Sequence, residues 1–315
     1  MRIIVVDTVH PRLPELLTRA GHEVVMMSRA ADAELPAALQ GAQGVVARSR
    51  ALPAALLEQA PALRFVGRVG SGTENIDTEW CRKRGVRVLT SPEGNRDGVG
   101  EACVMLLLAL MKALVRANHQ VHGGLWLREE NRGTDLRGKT VGIIGYGHMG
   151  SAFADKLRGF GVRVLAHDKY RSGFERAGVS EAPLERVLRE SDVISLHLPL
   201  TRETYHYADR GFFLRLGKPV WFLNTSRGAV VHTAALLDAI DQGRVIAAGL
   251  DVLEFERPDL SGLDPAVDPA AQRRLFGHER VLLTPHIAGV THEGSLKMAE
   301  VLADKIIHAF PNGQG

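Results

Sequence analysis

Three side chains of complementary chemistry each follow a short apolar run in the second half of the chain. Arg227 follows Phe222-Leu223-Asn224-Thr225-Ser226, Glu256 follows Gly249-Leu250-Asp251-Val252-Leu253, and His286 follows Leu282-Leu283-Thr284-Pro285. Taken singly, each has a bland role: an arginine in a surface pair, a glutamate in a loop, a histidine capping the final helix. Taken together, at the carboxyl ends of strands in one parallel sheet, they suit one reaction. Hydride transfer between a nicotinamide and a ketone needs a proton delivered to the forming alkoxide, and histidine does this well near neutral pH. A neighbouring carboxylate orients the imidazole and favours its charged form. An arginine grips a substrate carboxylate with two parallel hydrogen bonds and polarises the adjacent carbonyl. The set fits a 2-hydroxy acid and its 2-keto acid.

Such chemistry needs a nucleotide site on the same sheet. Val141-Gly142-Ile143-Ile144 runs into Gly145-x-Gly147-x-x-Gly150. In this pattern the first glycine permits a tight turn, the second lets a pyrophosphate approach the backbone, and the third lets a helix pack close to its strand. Freed N–H groups at the helix start then face an anion. A glycine-rich turn alone is weak evidence. Here a helix is expected over 151–158, and a second strand over 162–167 ends at Asp168. That acid lies roughly 20 residues past the last glycine, where the motif places the acceptor for the adenosine ribose hydroxyls. Asp168 repels a 2′-phosphate and so favours NAD over NADP, although Lys169 and Arg171 follow closely. A plain strand-end turn residue is the competing reading of Asp168.

The elements that must position these groups form two arrays. Before the glycine motif, strands are expected at 3–7, 24–28, 44–47, 64–69 and 86–89, with helices at 13–20, 53–59 and 77–84. After it begins, strands are expected at 140–146, 162–167, 193–198, 220–224, 245–250 and 281–283, with helices near 151–158, 184–190, 211–216 and 233–242. Strands alternating with helices argue for parallel sheets covered on both faces, hence two doubly wound α/β domains of Rossmann or flavodoxin-like type. Ligands of such sheets bind outside the carboxyl ends of the strands. An apolar helix is expected over 102–115 and a last one over 291–310, which could cover either sheet. The Asp-, Pro- and Ala-rich stretch 260–277 reads as a surface excursion with one short helix.

Bulk properties agree with two soluble domains. A chain of 315 residues can bury two cores. Its net charge of +3 gives no support to nucleic-acid binding. The two cysteines, Cys81 and Cys103, suit packed, reduced thiols in a reducing cytosol. Met1 runs almost directly into the first strand, so no signal peptide is expected, and the apolar helix is too short to span a bilayer. A cytoplasmic protein without membrane partners is the expectation.

The motifs in combination resemble the D-isomer-specific 2-hydroxyacid dehydrogenase family over nearly the whole chain. The resemblance rests on Val69-Gly70-Ser71-Gly72-Thr73-Glu74-Asn75-Ile76-Asp77, the glycine motif with Asp168, Asn224-Thr225-Ser226-Arg227-Gly228, Asp251-Val252-Leu253-Glu254-Phe255-Glu256, and Thr284-Pro285-His286-Ile287-Ala288-Gly289. It implies His286 as acid/base, Glu256 as its partner and Arg227 as the substrate arginine. Backbone at Ser71 and Gly72 is implied to hold the substrate carboxylate, and His148 and Met149 to line the pyrophosphate turn. Thr225, Ser226, Asp251 and Gly289 are implied along the nicotinamide end of NAD. The last helix is implied to return to the first domain. The substrate domain is then 1–95 plus 291–315, the NAD-binding domain is 96–290, and the active site is expected in the interdomain cleft.

Within the family the chain is most similar to the phosphoglycerate dehydrogenases, which implies oxidation of 3-phosphoglycerate in serine biosynthesis. Arg48 and Arg68 lie at or near strand ends and match arginine positions of those enzymes, so they are expected to bind the phosphate or carboxylate. Hydroxypyruvate or glyoxylate reduction and 4-phosphoerythronate oxidation remain open, as does a corepressor-like protein that holds NAD structurally. Two departures stand out: Ser71 replaces the more usual threonine, and the segment between Glu256 and His286 is longer than is common. A glutamate at 256 argues against formate dehydrogenase, where that position is glutamine. The resemblance also implies a homodimer through the nucleotide domain, with the helix at 102–115 and the segment 124–137 as contact regions and Trp126 and Arg128 near the neighbouring subunit. No metal is implied.

Overall fold

The computed structural model describes residues 1–311. Residues 312–315, grouped above with the first domain, lie outside the described residues. The chain divides into two compact units: Met1–Arg96 with Arg257–Ser261 and the segment from Val290 onward, and Asp97–Glu256 with Gly262–Gly289.

The first unit is built on β1 (Arg2–Val5), β2 (Glu23–Met26), β3 (Gly44–Ala47), β4 (Phe65–Arg68) and β5 (Arg87–Thr90). The strands are parallel, in the order β2-β1-β3-β4-β5. This is the flavodoxin-like arrangement. Fully buried Ile3, Ile4, Val45, Val46, Phe65 and Val66 form its spine, because a parallel sheet covered on both faces buries consecutive residues. The helices are α1 (Arg12–Arg19), α2 (Leu35–Leu39), α3 (Ala54–Leu57), α4 (Thr78–Lys83) and the first turns of α5 (Pro92–Met111). The C-terminal helix, His292–Ala309, packs on this unit through Leu302, Ala303 and Ile306. It is capped by the Thr291 hydroxyl, which accepts from the Gly294 N–H at 2.9 Å.

The second unit opens with the remainder of α5 and with α6 (Leu114–His122). Its sheet comprises β6 (Thr140–Ile144), β7 (Arg163–His167), β8 (Val179–Glu181), β9 (Val193–Leu196), β10 (Val220–Asn224), β11 (Val245–Leu250) and β12 (Val281–Leu283). All seven run parallel, in the order β12-β11-β10-β9-β6-β7-β8. The strand order reverses between β6 and β9, the position where such sheets bind ligands. One core holds Phe212, Phe213, Phe222, Leu236, Leu237 and Phe255, the other Leu106, Leu107, Val141, Ile143, Phe153 and Leu223. The covering helices are α7 (His148–Lys156), α8 (Leu184–Glu190), α9 (Arg210–Leu214), α10 (Thr233–Asp241) and α11 (Pro269–Phe276); the C-terminal helix is α12.

Two expectations are corrected. The apolar helix does not run over 102–115: it begins at Pro92, ends at Met111, and breaks where Ala113 takes a left-handed φ of 50°. Its first turn and a half is polar, so hydrophobic periodicity could not reveal it. The helix after the glycine motif starts at His148 rather than at 151, so the motif's last residues are already helical. Among the described residues no single helix is long and apolar enough to cross a membrane; α5 and α6 pass that test only as a pair bent by 62°.

Candidate active site

The carboxyl edge of the second sheet begins with the glycine turn. Gly145 takes φ +92°, and a Cβ there would lie 2.3 Å from the His197 carbonyl oxygen. A Cβ on Gly150 would lie 2.0 Å from the Gly145 carbonyl. The turn is therefore folded tightly against β9 and onto its own helix. By contrast, a Cβ on Gly147 would meet nothing within 4 Å. The open space lies at the N-cap of α7, where unbonded N–H groups and the helix dipole favour an anion. His148 is exposed and Met149 partly buried at this helix start.

Asp168 directly follows β7. Its Oδ2 accepts the Tyr146 N–H at 2.8 Å, and its Oδ1 accepts the N–H groups of Tyr170 and Arg171 at 2.9 and 3.0 Å. The strand-end turn role and the nucleotide role are thus compatible: backbone donors fix the carboxylate beside the glycine turn. A cleft of about 510 Å³ adjoins it, lined by His167, Asp168, Tyr170, Arg171, Glu181 and Pro183. An open cradle at Gly147, a helix start and a fixed acid fit a dinucleotide. Behind the turn, His197 is partly buried, its Nε2 2.9 Å from the Ser195 hydroxyl; burial pushes its pKa down to about 4, so it is neutral there.

The arginine turn is stapled by Asn224, which is fully buried at the end of β10. Its Oδ1 accepts from the Ser226 N–H at 3.0 Å and the Ser226 hydroxyl at 2.7 Å, while its Nδ2 donates to the Arg227 carbonyl at 2.9 Å. Arg227 Nη1 donates to the Ser226 carbonyl at 2.7 Å. Thr225 is buried, and its hydroxyl lies 3.3 Å from Cys103 Sγ. A Cβ on Gly228 would sit 1.9 Å from the Leu253 carbonyl oxygen. Only glycine lets the arginine turn approach the acidic turn this closely.

The acidic turn closes on itself. Glu256 Oε1 accepts the Leu253 N–H at 2.7 Å, and Oε2 lies 2.8 Å from His286 Nδ1. The side chains are 18% and 29% exposed, enough to withhold the pair from bulk water on most sides. His286 has φ +55°, an uncommon conformation for a residue with a Cβ, and such strain persists only where surroundings enforce it. Asp251 does the enforcing. It is 1% exposed, its carbonyl accepts the His286 N–H at 2.7 Å, and its carboxylate accepts the Thr284 hydroxyl and the N–H groups of Ile287 and Ala288 at 2.6, 2.9 and 2.8 Å. The N-cap of α12 is Thr291, so His286 does not cap that helix. With Nδ1 committed to Glu256, Nε2 is the ring nitrogen left to exchange a proton. Gly289 follows this loop and is partly buried.

The sequence reading missed two things here. One is the anchoring work of Asn224 and Asp251, whose only sequence signal is a polar residue at the end of an apolar strand. The other is a second acid–imidazole contact: Glu254 lies 2.5 Å from His206 Nε2, and its other oxygen accepts the Thr233 N–H at 2.8 Å. Glu254 thereby ties the loops after β9, β10 and β11 together.

In the first unit, Arg48 and Arg68 stand at the carboxyl ends of neighbouring strands, with Ala47 and Arg68 in register. The Asp7 carboxylate accepts the N–H groups of Arg48, Ser49 and Arg50 at 2.6, 2.9 and 2.9 Å and so fixes that turn. Arg48 is exposed, while Arg68, Ser71 and Gly72 are partly buried.

Residues 104–288 match the family model for the D-isomer specific 2-hydroxyacid dehydrogenase NAD binding domain. The chain belongs to this family. The dehydrogenase is 39% identical over 269 residues to a glyoxylate reductase of Thermococcus litoralis, covering 82% of this chain and 77% of the relative. It is 32% identical over 311 residues to a D-3-phosphoglycerate dehydrogenase of Archaeoglobus fulgidus, covering 98% of this chain but 57% of that protein. The crystal structure of a D-lactate dehydrogenase from Aquifex aeolicus, complexed with NAD and lactic acid, superposes with a TM-score of 0.82 at 28% identity, covering 99% of this chain and 96% of that one. The dehydrogenase therefore carries two parallel-sheet α/β domains and the NAD-binding domain of its family.

Proposed function

We propose that the dehydrogenase interconverts a D-2-hydroxy acid and its 2-keto acid, with 3-phosphoglycerate as the substrate. The observation that carries the reaction class is the Glu256–His286 contact of 2.8 Å on the sheet that also bears the glycine turn and Asp168. Bound NAD supplies the hydride acceptor. His286 takes the hydroxyl proton of the hydroxy acid through Nε2 as its carbon is oxidised, and returns it in the reverse direction. Glu256 holds the imidazole by Nδ1 and compensates its positive charge. Arg227 fixes the substrate carboxylate and polarises the reacting C–O group. Gly145, Gly147, Gly150, His148, Met149 and Asp168 hold the dinucleotide, with Thr225, Ser226, Asp251 and Gly289 toward its nicotinamide end.

For the substrate, the adjacent cations Arg48 and Arg68 and the turn at Ser71 and Gly72 support a phosphorylated acid. A second reading, glyoxylate or hydroxypyruvate reduction, is favoured by the higher identity to a glyoxylate reductase, 39% against 32%. We further propose a homodimer. No residue of α6 is buried, and Leu114, Val115, Val121, Leu125 and Trp126 expose apolar side chains in and just beyond it. Exposed large apolar side chains grouped within one segment support an interface reading.

The deciding experiment follows nicotinamide absorbance with 3-phosphoglycerate, D-glycerate, glyoxylate and hydroxypyruvate, in the native protein and in Arg48→Ala. Phosphoglycerate turnover that falls far more than glycerate turnover supports the phosphate reading. Equal losses, or turnover of glyoxylate alone, give the second reading. No turnover of any 2-hydroxy or 2-keto acid removes the proposal.

A further inference from the structure

The adenosine end of the nucleotide crevice contains an acid that the reading above leaves unused. Glu203 lies in the loop after β9. One of its carboxylate oxygens pairs with Lys169 Nζ and the other accepts the Tyr170 hydroxyl. Lys169 and Tyr170 lie in the loop after β7, immediately past Asp168. In the sheet, β6 with its glycine turn stands between β7 and β9. The contact therefore joins the two loops that flank the glycine turn, beside the cleft of about 510 Å³ lined by Asp168, Lys169, Tyr170 and Arg171.

This arrangement bears on a difficulty in the sequence. Two cations, Lys169 and Arg171, follow the acid that should exclude a 2′-phosphate, and either could attract one. The structure gives both of them other partners. Arg171 Nη1 donates to the Tyr146 carbonyl at 2.6 Å. Lys169 is taken by Glu203, and the hydrogen bond between them raises the pKa of the lysine and lowers that of the glutamate, which keeps both charged. A nucleotide phosphate would have to break this pair and would also meet the carboxylate left behind.

We propose that Glu203 is a specificity-determining residue: by neutralising Lys169 it leaves the Asp168 carboxylate uncompensated and so turns the adenosine pocket against a 2′-phosphorylated dinucleotide. The proposal rests on the reading of the glycine-turn crevice as the dinucleotide site. Because Lys169 and Glu203 are exposed, the effect is modest and weakens with salt.

The test is a binding measurement on the full chain. NADH and NADPH are titrated at low ionic strength, and cofactor fluorescence gives the two Kd values. Glu203→Gln is expected to lower the ratio Kd(NADPH)/Kd(NADH) by roughly fivefold, the upper range for an exposed charge pair. Adding Lys169→Met to Glu203→Gln is expected to restore the native ratio. A ratio unmoved by Glu203→Gln overturns the proposal, as does an equal fall with Lys169 absent. Failure of the native chain to bind NADH at all is a different result and removes the crevice assignment itself.

Discussion

Replacing Glu256 by Gln separates its chemical task from its structural one. Glutamine keeps a carbonyl oxygen for the Leu253 N–H, now held at 2.7 Å, so the turn survives. What changes is the face toward His286 Nδ1, 2.8 Å away, where an anionic acceptor becomes an amide N–H donor. A hydrogen bond to a charged group contributes about 1.5–3 kcal/mol, more than a neutral one. The pair is largely shielded, at 18% and 29% exposure, which places the loss in the upper part of that range. If His286 is the acid/base, about 2–3 kcal/mol is lost when the imidazole becomes charged, or roughly 30- to 150-fold in kcat. The assay is steady-state nicotinamide absorbance, paired with NADH titration and thermal denaturation. Cofactor affinity and Tm should stay near native for Glu256→Gln, whereas Glu256→Ala should lower Tm as well, because the Leu253 N–H loses its acceptor. A Gln variant with kcat within about threefold of native would refute the reasoning, since the imidazole would then need no carboxylate at Nδ1.

Further outcomes follow from the same contacts. Gly147→Ala is expected to fold normally, because its Cβ enters open space, yet to bind NADH weakly; Gly150→Ala, with its Cβ 2.0 Å from a carbonyl, should instead lose stability in thermal melts. Gly228→Ala should abolish turnover and lower Tm together, since its Cβ would sit 1.9 Å from the Leu253 oxygen. Asn224→Ala strips a buried three-bond staple and should destabilise the chain by about 2–4 kcal/mol in denaturant titrations. His197 has a pKa lowered by burial from 6.5 to about 4. The unfolded chain therefore binds its proton first as pH falls. Stability from this residue is complete above pH 6.5 and declines toward pH 4, by about 3 kcal/mol in total. Tm measured across that window should fall less steeply in His197→Gln.

Much of this was legible because parallel strands are buried on both faces and so appear as short Val- and Ile-rich runs. Val141–Ile144, Val193–Leu196 and Val220–Leu223 were readable for that reason, and Gly145, Gly147, Gly150 and Asp168 stood at the spacing a dinucleotide turn demands. Elements that owe their form to tertiary contacts were not legible. The short β8 is an edge strand of mixed polarity, and Pro36 disguised α2. The left-handed Ala113 that splits α5 from α6 has no residue signal at all. At the site, the residue types pointed to a chemistry, but not to the groups that hold it. Asp251 was expected along the nicotinamide end; its carboxylate is occupied with Thr284, Ile287 and Ala288, a task visible only once β11 and β12 lie side by side.

The chain between Glu256 and His286 leaves and returns through a neck fastened by Asp251 and Glu256 on one side and residues 284–288 on the other. What lies beyond a neck of this kind can lengthen or shorten at little thermodynamic penalty, since doubling a loop adds only about 0.6 kcal/mol of closure entropy. Mutation can therefore remodel the exposed stretch 257–262 ahead of α11 without touching the Glu256–His286 contact, whereas α11 itself buries Ala271 and Leu275 in the core. The exposure of that stretch marks it as a place to graft foreign loops.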